Sequence, residues 1–342
     1  MRVVVSCLLS SLLLLAKVCA AGAAVPSLGA GAPGQTNGYC GDPQVEPTDA
    51  LIDRAHHMMS QGVCQPTRWF DRFFANPDDV DVLPAGSLIR VIAAQRFQDD
   101  GERGSDLRIR GSVDLPNLEK QLSLILRNDD DIDEDFDSVS ETRPQDVGNN
   151  DSNSFRAALR WAAKQRRRDN IDLELGLRSG VKIFTRARYR FNTPLPGEVW
   201  SFRFTETLTW QDGDGASAES RFEFDRALAP DMSLRFTTEA EASEELSEED
   251  RGWQLDQRAT ISVRVNPRAA LQYNLGVRAF TEPNSQVESY RIGIRFRQNI
   301  FRPWLFWELE PFVFWEREEN FRGITGVVLR LETQYGRYHE PP

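Results

Sequence analysis

From about residue 88 to residue 335 the chain alternates apolar and ionic side chains with a period of two. Successive side chains of a β-strand point to opposite faces, so this period predicts strands with two unlike faces. In residues 199–210, Trp200, Phe202, Phe204, Leu208 and Trp210 share one parity, while Ser201, Arg203, Thr205, Thr207 and Thr209 share the other. In residues 253–264, Trp253, Leu255, Ala259, Ile261 and Val263 alternate with Gln254, Asp256, Arg258, Thr260, Ser262 and Arg264. Tyr290, Ile292, Ile294 and Phe296 alternate with Arg291, Gly293, Arg295 and Arg297. Leu305, Trp307, Leu309, Val313 and Trp315 alternate with Phe306, Glu308 and Glu310. Earlier stretches obey the same rule: Val181, Ile183, Ala187, Tyr189 and Phe191 stand opposite Lys182, Arg186, Arg188 and Arg190. Arg156 and Arg160 likewise stand opposite Ala157, Leu159 and Trp161. The opening stretches 88–97, 107–113 and 118–126 show a weaker form of the pattern.

A strand tilted by roughly 45° and rising ~3.4 Å per residue crosses the apolar layer of a membrane in about 10 residues. The alternating stretches have that length. Their apolar face is nearly free of charge, and Trp200, Trp210, Trp253, Trp304 and Trp315 fall near the stretch ends, where indoles favour the membrane–water boundary. The other face is heavily ionic and needs water or opposite charges. Lipid offers no hydrogen bonds to a free sheet edge, so such a wall must close. The expected fold is all-β: a transmembrane antiparallel β-barrel of about 12–14 strands, with a small helical N-terminal segment. A mean hydropathy of −0.48 excludes a bundle of spanning helices, each of which needs about 20 apolar residues. A soluble β-sandwich also alternates, but with shorter strands and without repeated aromatic ends. Glu206 falls on the lipid-facing parity; a bulge or a place near the interface would accommodate it.

The chain divides into residues 1–20, 21–87, 88–335 and 336–342. Met1 and Arg2, an apolar run and the small residues around Ala20 form the layout of a secretory signal peptide. Cleavage after Ala20 or after Ala24 is left open. Residues 21–37 are rich in Ala, Gly and Pro and read as a flexible leader. Residues 47–61 have helical spacing, with Leu51, Ala55, Met58 and Met59 near one face. Segment 40–87 is thus a small helical region and a candidate docking surface for a periplasmic partner. It holds Cys40 and Cys64, expected to form a disulfide that closes a loop of about 25 residues and contributes on the order of 3 kcal/mol. The net charge of −11 argues against nucleic acid as a partner, since phosphate contacts need a basic face.

Catalytic chemistry has few candidates. The histidines are His56, His57 and His339, none of them in an expected strand, so a Ser/His or Asp/His site in the wall lacks the usual base. The acidic run 128–137 (NDDDIDEDFD) fails the calcium-loop template, because Glu134 stands where Gly is required. No catalytic residue, metal site or cofactor is expected. The candidate lumen-lining residues are Arg186, Arg188, Arg203, Arg258, Arg291, Arg295, Arg297, Glu308, Glu310 and Arg330. Arg291, Arg295 and Arg297 are expected to face Glu308 and Glu310, then Arg330 and Glu332. Rings of Arg select anions in pores, whereas closely paired charges would fill and rigidify a narrow interior. A pore with a charged lumen and a closed structural or docking barrel are therefore both expected outcomes.

Residues 69–74 (WFDRFF), residues 302–315 (RPWLFWELEPFVFW) and the stretch before them resemble a family of uncharacterised proteobacterial outer-membrane barrels. The resemblance runs from about Cys40 to the chain end. It implies residence in the outer membrane of a Gram-negative cell, in contact with its lipid and with the barrel-assembly machinery. It implies no catalytic role. Val327, Leu329, Leu331, Thr333 and Tyr335 also look like the last-strand signal of such proteins, although seven residues follow Tyr335.

Overall fold

The computed structural model describes residues 88–114, 122–128, 147, 155–165, 168–195, 199–301 and 304–336. The signal segment, the helix expected at residues 47–61, Cys40 and Cys64, the three histidines, residues 129–137 of the acidic run and the tail 337–342 lie outside the described residues.

Fourteen strands form the wall: β1 Leu88–Gln98, β2 Arg103–Asp114, β3 Leu122–Arg127, β4 Arg156–Gln165, β5 Asp169–Arg178, β6 Lys182–Pro194 and β7 Trp200–Gln211, followed by β8 Gly215–Ala229, β9 Met232–Ser243, β10 Gln254–Asn266, β11 Ala269–Phe280, β12 Gln286–Asn299, β13 Leu305–Glu316 and β14 Gly323–Gly336. Each pairs antiparallel with its sequence neighbours, and β1 pairs with β14 to close the barrel. Closure gives every strand a partner on both sides, although among the described residues β3 pairs with β2 only along Arg110–Asp114. The higher of the two expected strand counts is thus the observed one. The third strand is described over Leu122–Arg127, 6 residues, and residues 118–121 of the expected stretch lie outside the described residues.

The two-residue alternation is plainest along β5 to β7, β12 and β13. Along β5, Leu173, Leu175 and Leu177 are exposed while Glu174 is buried. Along β6, Arg186, Arg188 and Arg190 are buried and Ile183 is exposed. In a closed barrel the buried parity is the inner face. Most of the buried side chains inside are thus charged or polar and most large apolar residues are outside, the inverse of a soluble globule. Burying Arg side chains while exposing Leu175 at 59% makes physical sense only where the outer medium is hydrocarbon.

Aromatic residues collect toward both rims of the outer face. Near the end that carries both chain ends of the barrel, Trp304 stacks on Tyr335 at 6.3 Å and Trp200 on Phe236 at 6.2 Å. Trp210, Trp253 and Trp315 lie toward the opposite, far end. Register shifts occur at Ala162/Lys164, Ala227/Ala229, Arg264/Asn266 and Arg278/Ala279. All four lie next to strand ends; in the middle of the wall the β12–β13 ladder has a gap at Pro311, which has no N–H to donate, without a change of register.

Several far-end connections are acidic, residues 99–102, 212–214 and 244–250 among them, and the last contains helix α1, Glu244–Glu248. Ser243 caps it by accepting from the Leu246 N–H at 3.1 Å, and Glu244 and Glu245 in its first turn suit the positive end of the helix. The 212–215 turn uses Gly213 and Gly215 at φ of 93° and 82°, a region that favours glycine.

Candidate functional site

The antiparallel register turns the inner face into rows of side chains that cross the strands, and these rows differ in charge pattern. One row reads Asn192, Arg203, Glu223, Thr237, Arg258. Another reads Asn170, Arg190, Thr205, Arg221, Glu239, Asp256, Arg278. Cations in these rows are separated by hydroxyls or carboxylates, as cross-strand pairing favours. Arg203 Nη1 lies 3.4 Å from Glu223 Oε2, Arg221 Nε lies 2.8 Å from Glu239 Oε1, and Arg258 also pairs with Glu239.

The wall of β12, β13, β14 and β1 carries the most completely closed network. Arg295 Nη2 lies 2.9 Å from Glu310 Oε2, and Arg330 Nη1 lies 2.5 Å from the same oxygen. Arg297 pairs with Glu308 and reaches Glu332 Oε2 at 2.7 Å, while Glu332 Oε1 takes Arg90 Nη2 at 2.7 Å. Gln334 Nε2 donates to Glu332 at 2.6 Å. Arg297 also stacks over the Phe306 ring at 4.2 Å, a cation–π contact that retains the guanidinium hydrogens for the carboxylates. Toward the far end the same wall turns apolar: Phe312, Phe314, Ile324 and Val328 pack with Val147. Val147 belongs to the β3–β4 connection, so part of that connection enters the barrel.

A third arrangement breaks the pairing rule. Arg90, Arg110, Arg127, Arg156, Arg178 and Lys182 stand directly opposite one another on six consecutive strands, β1 to β6. Like charges placed opposite each other destabilise a sheet. At ~4.8 Å between strands, this cationic row spans about 24 Å. It starts at the third residue of β1, near the chain ends, and finishes at the far-end tip of the β5–β6 hairpin. Arg90, Arg110, Arg127 and Arg156 are all buried. At the far tip, Arg178 Nη2 lies 3.2 Å and Lys182 Nζ 3.8 Å from the Asp214 carboxylate.

Beneath the row runs an apolar strip of Ile125, Ala158 and Phe184. The Arg156 guanidinium lies over the Phe184 ring at 5.6 Å. Gly176 makes room for that ring, since a Cβ there would come within 2.5 Å of the Phe184 ring and 2.7 Å of the Ala157 carbonyl oxygen. Below the strip, Glu174 accepts from Arg160 Nε at 2.7 Å and faces Arg186 at 3.8 Å. A small cavity lies between these layers, lined by Ile125, Arg127, Arg156, Ala158, Glu174, Phe184 and Arg186. Among the described inner-face residues of β2 to β6, leaving aside the far-tip pair, Arg108, Arg110, Arg127, Arg156, Arg160, Arg186, Arg188 and Arg190 outnumber Asp106, Asp172 and Glu174.

The sequence-derived candidates all occupy the inner parity. Arg186 and Arg188 lie beside the cationic row, and Arg203 and Arg258 in the alternating rows. Arg295, Arg297, Glu308, Glu310 and Arg330 lie in the closed network. Arg291 departs from expectation: its paired neighbours are Gly276 and Phe314, not Glu308 or Glu310. The expectation for Glu206 also needs correction. It sits mid-strand with uninterrupted register on both sides, away from any bulge and from the strand ends. Arg90, Arg110, Arg127, Arg156, Arg178 and Lys182 were not among the candidates, because only the register brings them together.

No protein-family model matches the chain, and no curated protein does. Solved outer-membrane barrels are similar to it. The CymD monoaromatic hydrocarbon channel shares 6% identity at a TM-score of 0.47, over 82% of this chain and 95% of that one. The outer membrane protein opdK from Pseudomonas aeruginosa shares 8% identity at a TM-score of 0.42, over 74% of this chain and 99% of that one. The KdgM porin shares 7% identity at a TM-score of 0.35, over 72% of this chain and 99% of that one. The likeness is one of barrel architecture.

Proposed function

We propose that the chain is an outer-membrane pore that favours anions, with the row from Arg90 to Lys182 as its guiding surface. The single observation that supports this most is that row: six cations held opposite one another from one rim to the other. In the two rows described on β5 to β11 no cation stands directly opposite another, so the repulsion retained in this row is not what stability alone requires. A wall whose described residues carry more cations than anions, inside a low-dielectric shell, attracts anions and repels cations. On this reading the two chain ends of the barrel face the periplasm and the acidic connections face outward. The lipid of a Gram-negative outer membrane surrounds the apolar face, and the barrel-assembly machinery inserts the last strand. Membership of the proteobacterial barrel family suggested by residues 69–74 and 302–315 belongs to the same proposal, as does a periplasmic partner at residues 40–87.

The test is conductance of the purified protein in planar bilayers, with the reversal potential read across a KCl gradient. Discrete currents and a reversal potential of anion-selective sign are expected. A second reading, a barrel whose interior is filled, draws on the burial of Arg297 at 1%, Glu310 at 2% and Val147 at 0%. It predicts silent bilayers and liposomes that stay impermeable to small anions.

A further inference from the structure

On the outer face, away from strand ends and bulges, the described residues include one carboxylate, Glu206. It shares the parity of Phe204 and Leu208 on β7, and its paired neighbours are Tyr189 and Ser220. The Ser220 hydroxyl donates to Glu206 Oε2 at 2.5 Å. Across the next two strands, the Gln257 amide donates to the Thr238 hydroxyl at 3.0 Å. These four side chains form a polar island on β7 to β10, flanked toward the far end by Ala218, Ala240 and Ala242. Below it lies an aromatic shelf in which Phe202 packs on Phe224 and Phe204 on Phe222, each at 5.1 Å.

A carboxylate against hydrocarbon is costly, and lipid tails supply no donors. One serine hydroxyl meets only part of a carboxylate's accepting capacity, and the Gln257 amide carries a second hydrogen. The island thus holds both halves of a hydrogen-bonded contact, separated by three strand spacings. We propose that this face of β7 to β10 is where a second copy of the chain docks. A two-fold axis along the membrane normal, passing opposite the β8–β9 pair, reverses strand order between copies. It places the partner's Gln257 against Glu206, and Gln257 against the partner's Glu206, in an isologous contact. Rows climb toward the far end from β7 to β10, and Gln257 lies two residues back toward the near end from the row of Glu206. The two offsets partly cancel, so both groups lie at about the same depth. The alanines let the walls approach closely, as small residues do at contacts within membranes. The docking holds whether or not the interior conducts.

The test uses full-length protein extracted from membranes in mild detergent, with its mass measured by light scattering. In parallel, the photo-crosslinker benzoylphenylalanine is placed at position 220 or, on the opposite wall, at position 331. A mass of two chains and a self-crosslink from position 220 but not from 331 are expected. Glu206→Leu and Gln257→Leu, shown to be folded by heat-modifiable gel mobility, should each lower the dimer fraction at least tenfold. A monomeric mass, crosslinks from position 220 only to lipid or to a different protein, or dimers unaffected by both substitutions would overturn the proposal.

Discussion

Two regions of the inner wall use arginine in opposite ways. In the β12–β14 network, Arg295, Arg297 and Arg330 interlock with Glu308, Glu310 and Glu332, and Arg90 joins from β1. In the row across β1 to β6, cation meets cation at each successive strand. Charge in the first region is balanced locally, which favours rigidity. The second concentrates one sign of charge along a continuous path, at a cost in cross-strand repulsion. The lesson is that inner charge alone says little about function; the register of the charges separates a brace from a path.

The sharpest break should come in the balanced region. Glu332→Ala would remove the buried carboxylate that Arg90 and Arg297 share and should destabilise the barrel by about 3–5 kcal/mol, read from urea unfolding in detergent. An unchanged midpoint would mean the network is not a brace. Next is the packing under the cationic row. Gly176→Ala would push against Phe184 and the Ala157 carbonyl and should cost about 1–3 kcal/mol in the same assay. A smaller effect on stability, under about 1 kcal/mol, is expected from Arg127→Gln, because the lost charge also relieves repulsion from Arg110 and Arg156. Its larger consequence should be weaker anion preference. Least invasive is salt: raising KCl from about 0.1 M to about 1 M shortens the screening length from ~10 Å to ~3 Å. Anion preference should fall while unfolding of the balanced network changes little.

Much of the wall was legible in the sequence, because parity is a local property. Trp200, Phe202 and Phe204 against Ser201 and Arg203 fix the faces of β7 without knowledge of its neighbours. The pairing of Arg295 and Arg297 with Glu308 and Glu310 was also within reach, since β12 and β13 are joined by a short turn that leaves few registers open. The cationic row was not. Arg110, Arg127 and Arg156 lie on strands joined by connections of very different length, and the β3–β4 connection runs from 128 to 155. No local pattern sets which residue of β4 stands opposite Arg127. Glu206 was recognised as out of place by parity alone, but its serine partner on β8 emerged only from the ladder.

The most direct test exchanges the same charge in the two kinds of row. Arg127→Glu alters the all-cationic row, and Arg258→Glu alters a row that already alternates. The reversal potential across a KCl gradient should move strongly toward cation selectivity for Arg127→Glu and only slightly for Arg258→Glu. Equal shifts for both variants, or no current from the folded wild-type barrel, would contradict the account.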